Sequence, residues 1–365
     1  MTRPVAKPGT DDLLGHEQVC RRLWQALDND RLHHCYLFAG PEGVGKRTVA
    51  QRLAMAANCE SVGPVLLGPP PPRPCGHCIP CTQIAQGIHP DIIEVERDPS
   101  KKVAMIGVEQ AREVIRRLSL HRLSAQRRFV IIDPVDIMRR EAANALLKTF
   151  EEPPQATTFI LVTSRPTALL PTVLSRSVRV RFHPVPEESL ETWLEARGVE
   201  APRRIARLSA GSPGRALSLL DGEADALSAA REELLLALSG GTADVMAYAE
   251  ALVKGGKRET YEPRVNRLLQ VLEHLLRDAV LVAGGRADAL IDADGSVVAE
   301  RWAKALWPSG ITAVEAALAD AHSQLAVHIT PRLVLGALLT RLQRELGGAA
   351  ARVDAPPSFE ASPHG

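Results

Sequence analysis

The chain has 365 residues, 45% of them hydrophobic and 24% charged, with a formal net charge of +1. That length suggests roughly two to three domains, and the near-neutral balance gives no bulk attraction to nucleic acid, membrane or an acidic partner. Aromatic residues make up only 4%, no run of about 18 apolar residues exists, and Met1 to Asp12 lacks the apolar stretch of a signal peptide; the expectation is a cytoplasmic, helix-rich protein with reduced thiols and no membrane partner.

In chain order, Cys35 to Ala39 (CYLFA) is the first apolar run of buried-strand length. It leads into Gly40-Pro41-Glu42-Gly43-Val44-Gly45-Lys46 and then a helical pattern. Glycines between a strand and a helix let backbone N–H groups face phosphate, and the lysine and helix N-terminus add positive potential. The plainer alternative is a Gly-rich turn. A working loop places Ser or Thr directly after the lysine, where the hydroxyl holds magnesium. Here Arg47 stands in that place and Thr48 comes one residue late. One residue on a helix turns a side chain by about 100°, and Arg47 sets a cation near the metal position.

The proline run Gly68 to Pro74 precedes CGHCIPC, Cys75 to Cys81. Of the six cysteines, Cys20 and Cys35 lie in apolar contexts and read as small core residues. Cys59, Cys75, Cys78 and Cys81 form C-x15-C-x2-C-x2-C. Two-residue gaps let thiolates converge on one tetrahedral ion, and the long gap lets the chain return with a fourth. The spacing predicts one structural zinc, closed to catalysis, with His77 and His89 as non-ligands. The alternative is four incidental reduced thiols.

Asp91 to Val95 (DIIEV) reads as a strand and Val108 to Leu118 as a helix. Lys101, Lys102, Arg112, Arg116, Arg117, Arg122, Arg127 and Arg128 cluster in sequence. They suit either a phosphate-tracking stripe or, the favoured reading, a solvated helix face. Phe129 to Asp133 (FVIID) is the next strand. Asp133 is placed to orient a metal, but the following position, where a carboxylate should polarise water, is Pro134; Asp136 comes two residues later. Two losses fall on one reaction, so the expectation is a nucleotide-binding shape without hydrolysis.

Glu141 to Glu151 reads as a helix stopped by Pro153 and Pro154. Phe159 to Thr163 (FILVT) reads as a strand, and Val178, Val180 and Phe182, alternating with arginines, as a strand with one wet face. Strands alternating with helices predict a mostly parallel sheet with helices on both faces. Short helices follow from Glu187 to about Leu220. From Ala224 to about Leu346 the chain reads as entirely helical, broken at Gly240-Gly241, Gly255-Gly256, Gly284-Gly285 and Pro308. Gly347 to Gly365 is expected to be disordered.

The segments RLHHCYLFAGPEGVGK (Arg31 to Lys46), GIHPDIIEV (Gly87 to Val95), NALLKTFEEPP (Asn144 to Pro154) and LLPTVLSRS (Leu169 to Ser177), with the cysteine cluster between the phosphate loop and the second motif, form a combined fingerprint. It resembles the clamp-loader subunits of bacterial DNA polymerase III, an AAA+ family, over about residues 10 to 220, and more weakly through PRLVLGALLTRL (Pro331 to Leu342). Arg47 and Pro134 favour the non-hydrolysing delta-prime type over the ATP-hydrolysing gamma/tau type.

The resemblance implies an α/β AAA+ P-loop domain at residues 1–183 with a zinc module at about 59–81. A three-helix lid (184–222) and an all-α collar (223–346) would follow. It also implies gamma/tau and delta partners in a five-subunit ring that loads a sliding clamp onto primed DNA. Ser175-Arg176-Ser177 matches the family's Ser-Arg-Cys motif, so Arg176 would be an arginine finger offered to the neighbouring ATPase subunit. Arg215, in GSPGRAL, matches a lid arginine that senses nucleotide, and Thr163 and Ser164 match a polar sensor. The degenerate nucleotide set is then Gly40, Gly43, Gly45, Lys46, Arg47, Thr48, Asp133 and Arg215, with structural zinc and, optionally, ATP or ADP as cofactors. The alternatives are an ATP-hydrolysing gamma/tau-type subunit and a stand-alone zinc-stabilised nucleic-acid-binding protein.

Overall fold

A computed structural model describes residues 13–61, 74–96, 105–255, 257–291, 295–326 and 330–347. The proline run before Cys75, Lys101, Lys102, Gly256 and nearly all of the tail expected to be disordered lie outside the described residues. The chain divides into two compact units, one ending at Ser218 and the other beginning at Leu219.

The first unit is built on a five-stranded sheet in the order β2-β3-β4-β1-β5. Its strands are β1 (Cys35–Ala39), β2 (Ile92–Val95), β3 (Arg128–Ile132), β4 (Thr157–Thr163) and β5 (Val178–Arg181), and every pairing is parallel. The helices are α1 (Glu17–Asp28), α2 (Lys46–Asn58), α3 (Ile79–Ala85), α4 (Val108–Ser119), α5 (Arg140–Glu151), α6 (Pro171–Leu174), α7 (Glu187–Glu195), α8 (Pro202–Leu208) and α9 (Pro213–Ser218). Successive side chains of a strand face opposite sides, and both sides of this sheet are covered. Tyr36, Phe38, Phe129, Ile131, Ile160 and Val162 pack with Val49 and Leu53 of α2 and Leu23 of α1. On the other face Leu37, Val130, Ile132 and Leu161 meet Val114 and Leu118 of α4 and Leu146 of α5. There Phe150 and Phe159 also meet edge to face, with ring centroids 5.0 Å apart. Cys35 belongs to this core, where burial pushes its thiol up to about 12.

Three differences from the sequence expectation have physical reasons. The fourth strand starts at Thr157, not Phe159, because Thr157 and Thr158 register against Arg128 and Phe129. They are buried although polar. The fifth strand is a sheet edge, and Val178 stays 42% exposed. Its exposed arginines discourage further strand pairing. Phe182 lies past its end, buried against His16 and Phe38.

The third difference corrects the reading of the arginine run. Arg128 is not on a solvated face; it is 3% exposed, as is Asp91. Asp91 Oδ2 accepts the backbone N–H groups of Leu123 (3.0 Å), Ser124 (2.9 Å) and Ala125 (3.0 Å). Asp91 Oδ1 accepts from Arg128 Nη2 at 3.3 Å, and Arg128 also caps the carbonyls of Leu118 and Leu120. This hub ties the end of α4 to β3. Arg127 is likewise engaged, by Asp30 and through its backbone by Asn58. Arg116 pairs with Glu113, and Arg117 donates to the Pro90 carbonyl.

The second unit is helical: α10 (Ala224–Ser239), α11 (Thr242–Leu252), α12 (Arg258–Ala283), α13 (Ser296–Leu306), α14 (Ser309–Ala326) and α15 (Pro331–Glu345). The breaks fall at Gly240-Gly241, after Gly255, at Gly284-Gly285 and at Pro308, as the sequence predicted. Leu234 and Leu238 of α10, Leu268 and Leu272 of α12, Trp302 of α13 and Leu335, Leu339 and Leu342 of α15 are each at most 1% exposed.

Replacing Asp91 by Ala leaves the Arg128 guanidinium buried without its counter-charge, and the expected cost is about 3–5 kcal/mol. Burial alone would raise the Asp91 pKa, but the three N–H donors and Arg128 hold its carboxyl below the usual carboxylate range. A depressed pKa contributes stability above the unfolded value, about 3.9, and loses it as pH falls through the folded value. Urea unfolding of wild type and Asp91→Ala should therefore show a gap that is full at pH 7 and narrows below about pH 4. An equal gap at both ends would contradict this assignment.

Candidate nucleotide and metal sites

The phosphate-type loop joins β1 to α2. Its first residue is hooked to the sheet, with Gly40 N donating to Thr163 O at 3.2 Å. Gly43 (φ +71°) and Gly45 (φ +105°) lie in the left-handed region that side chains avoid. Gly43 also has no room: a Cβ there would lie 2.3 Å from Ser212 Oγ. That closeness comes from the start of α9, which is bonded onto the loop. Ser212 Oγ donates to Glu42 O at 3.0 Å, and Gly214 N donates to Gly43 O at 2.9 Å. His16 bonds Val44 O at 2.8 Å from the other side. Arg215, on α9, has its N–H within 3.2 Å of Ser212 Oγ.

Lys46 is 6% exposed and donates to the Gly40 and Pro41 carbonyls. Burial lowers its pKa against the attraction of Asp133, Glu42 and Asp136. Arg47 does not face a phosphate. Its guanidinium pairs with Glu94 on β2 and with Glu96 just beyond it, and Gln51 Nε2 donates to Glu94 at 3.0 Å. Burial opposes the Arg47 charge, yet these carboxylates raise its pKa further. Thr48 is half-buried one step further round α2. Asp133 has its pKa raised by burial, with Arg47 and Lys46 pulling the other way.

Magnesium, the ion such a loop implies, does not fit this donor set. The position that would carry a hydroxyl holds a guanidinium, and this is paired with carboxylates at the end of β2. Asp136, two positions after Pro134, has both carboxylate oxygens engaged. Its Oδ1 accepts from Thr163 Oγ1 at 2.8 Å, and its Oδ2 accepts from Arg165 Nη2 at 2.8 Å and Nε at 3.0 Å. Sequence reading missed Arg165 and Glu94. Glu94 lies within GIHPDIIEV and Arg165 follows Ser164, but nothing local gave either a role; only the fold brings them to the site.

The four predicted cysteines do come together. The Sγ atoms of Cys59, Cys75, Cys78 and Cys81 all lie within 4.8 Å of one another. Four Zn–S bonds of about 2.3 Å in a tetrahedron place sulfurs about 3.8 Å apart, and the Cys75–Cys81 separation is 4.0 Å. Cys59 caps α2, Cys81 sits in α3, and Gly76 (φ +78°) bends the chain between Cys75 and Cys78. Burial opposes ionisation of Cys75, but donors from Ser61, Cys78, His77 and Cys59 bring its thiol down to about 5. His77 turns to the Cys75 carbonyl and His89 to the Asp91 N–H, and neither joins the cluster.

Arg176 follows α6 and lies far from its own phosphate loop. β5 starts level with Tyr36, near the N-terminal end of β1, whereas the loop leaves the C-terminal end. At about 3.3 Å per residue the two ends are on the order of 15 Å apart. The guanidinium bonds Glu151, the Thr172 carbonyl at 3.0 Å and Ser175 Oγ at 3.3 Å.

Residues 15–186 match the family described as "DNA polymerase III, delta subunit". DNA polymerase III subunit tau of Escherichia coli is 34% identical over 218 residues, covering 58% of this chain and 32% of that protein. The tau subunit of Bacillus subtilis is 32% identical over 58% of this chain and 37% of its own length. The gamma subunit of Buchnera aphidicola is 30% identical over 50% of this chain and 48% of its own. The chain thus spans about a third to a half of the curated relatives it matches. Among solved structures, a DNA polymerase III gamma subunit-related protein of Thermotoga maritima aligns over 90% of this chain and 99% of its own. Its identity is 20% and the TM-score 0.41. The RuvB Holliday junction branch migration motor of the same organism aligns over 68% and 74% with a TM-score of 0.39.

The cysteine geometry leads to one expectation. Protein purified without chelator should carry one zinc per chain by metal analysis. Cys78→Ser should abolish most of it and lower the melting temperature. Full metal content in that variant would show that the four thiols are incidental.

Proposed function

We propose that this chain, related through residues 15–186 to the clamp-loader subunits of DNA polymerase III, is a delta-prime-type AAA+ subunit that does not hydrolyse ATP. The observation that carries this is Arg47 paired with Glu94 and Glu96 in the place of a metal-binding hydroxyl. The commitment of both Asp136 oxygens to Thr163 and Arg165 supports it. In this reading the chain assembles with gamma/tau and delta subunits in the ring that loads a sliding clamp onto primed DNA, in the cytoplasm. Zinc at the four cysteines braces α2 against α3. No helix among the described residues is long and apolar enough to cross a membrane.

The chemical contribution is Arg176. It stands at the end of the sheet opposite its own phosphate loop, which supports a role at a neighbour's site over one at its own. A guanidinium there would offset the charge that develops on a transferred phosphoryl group. Arg215 and the α9 contacts with the loop then brace the lid.

A second reading, a gamma/tau-type ATPase, is favoured by one finding: the curated relatives cited above are tau and gamma subunits. Turnover by the purified chain separates the two. The delta-prime reading expects no ATP hydrolysis above background, with or without magnesium. It also expects Lys46→Ala to change turnover of the whole loader little. Hydrolysis by the isolated wild type that Lys46→Ala abolishes would establish the ATPase reading instead.

Arg176→Ala should leave folding and assembly intact, because a half-exposed arginine buries little apolar surface. At the site it serves, the loss should be on the order of 10³-fold. Total DNA-stimulated turnover of the reconstituted loader falls only in part, since other sites remain. Arg176→Lys should not restore it fully, because an ammonium lacks the planar fork. Wild-type ATPase and clamp loading with Arg176→Ala would reduce this residue to a surface arginine.

A further inference from the structure

We infer that Glu151 is the positioning residue for Arg176, an inference that rests on reading Arg176 as an arginine offered to a neighbouring subunit. Glu151 is the last residue of α5. Its Oε1 accepts from Arg176 Nε, and Nη2 of the same guanidinium forms an ion pair with that oxygen. On the other side Nη1 donates to Thr172 O and Ser175 Oγ. An arginine has five N–H donors. The hydrogen bonds take up Nε and Nη1, so Nη2 is the nitrogen left to donate to an incoming phosphate oxygen. The guanidinium is therefore fixed in plane and direction before any partner arrives.

The location of Glu151 adds to this. A carboxylate at a helix C-terminus sits in the unfavourable end of the helix dipole, and Glu152 follows directly with a second one. The end of α5 is a poor place for two acids without nearby cations; Lys148 stands in the same last turn, and Arg176 is the cation that bonds Glu151 directly. Both side chains are partly open to solvent, at 44% for Glu151 and 32% for Arg176. Pairs exposed to this degree add little to stability, so the consequence of this one lies in geometry. Catalysis by a positioned charge is sensitive to placement, and a shift of about 1 Å can cost on the order of 10²-fold.

The test uses the loader reconstituted with full-length chains carrying Glu151→Gln, Arg176→Ala, both together, or the exchange Glu151→Arg with Arg176→Glu. DNA-stimulated ATPase is read as kcat and KM, alongside melting temperature and assembly. Glu151→Gln should lower kcat at the served site roughly tenfold, with KM and melting temperature unchanged. It should have no further effect in the Arg176→Ala background. The exchange should restore the ion pair and still lack activity, since the guanidinium then starts from the wrong helix. If Arg176→Ala lowers turnover but Glu151→Gln does not, the positioning role is wrong and the arginine reading stands. Recovery of activity by the exchange would also overturn it, because a pair that works in either orientation is only structural. Wild-type turnover with Arg176→Ala removes both readings together.

Discussion

β1 lies between β4 and β5, paired in parallel with both, and that single arrangement places the chemistry of the first unit. Parallel registry brings strand ends of one polarity to one edge. Ala39 lies opposite Thr163, Ile132 opposite Leu161, and Val95 opposite Ile132. The loop that leaves β1, Asp133 and Asp136 after β3, Thr163 and Arg165 at the end of β4, and Glu94 and Glu96 at the end of β2 therefore meet. Ligands of open parallel sheets bind outside this carboxyl edge. The apolar alternation that buries Leu37 on one side and Phe38 on the other is what holds the registry. A slip of one residue would exchange the two faces and set every core side chain of the strand against the wrong layer of helices.

The same edge explains why the site looks intact in shape and altered in chemistry. The backbone requirements of a phosphate loop are met by Gly43 and Gly45, whose φ values no other residue adopts without strain. The side-chain requirements are met by something else. Arg47 spends its charge on Glu94 and Glu96, and Lys46 turns its ammonium onto its own loop. Asp136 gives both oxygens to Thr163 and Arg165. Arg47, Lys46 and Asp136 thus each have protein partners at this edge. Backbone shape and side-chain chemistry can separate in this way because the fold depends on the first and hydrolysis on the second.

The sequence made much of this legible, for reasons that differ by residue. The loop and the four cysteines were readable because their chemistry needs close sequence spacing. The helix breaks of the second unit were readable because Gly and Pro act locally. Arg128 was not, because a charged residue at a strand start reads as solvated until its partner, Asp91, is found 37 positions away. Thr157 and Thr158 hid the start of β4 because polar residues in a central strand leave no apolar signal. The pairs Arg47–Glu94, Arg165–Asp136 and Arg176–Glu151 span 47, 29 and 25 residues. They exist only through the sheet order, which no local pattern encodes.

The contacts between α9 and the loop take the argument one step further. In a site that works by turnover, the segment over the phosphates must respond to nucleotide, so its bonds to the loop should depend on the ligand. Here Ser212 and Gly214 bond the Glu42 and Gly43 carbonyls directly, and the fit is close enough that Gly43 cannot carry a side chain. Protein groups alone complete this closure. A nucleotide shifts an equilibrium between open and closed arrangements only by the difference in its affinity for the two, and these bonds favour the closed one without it. In the function proposed above, a first unit closed in this way would serve as a steady platform for Arg176 at the opposite end of the sheet.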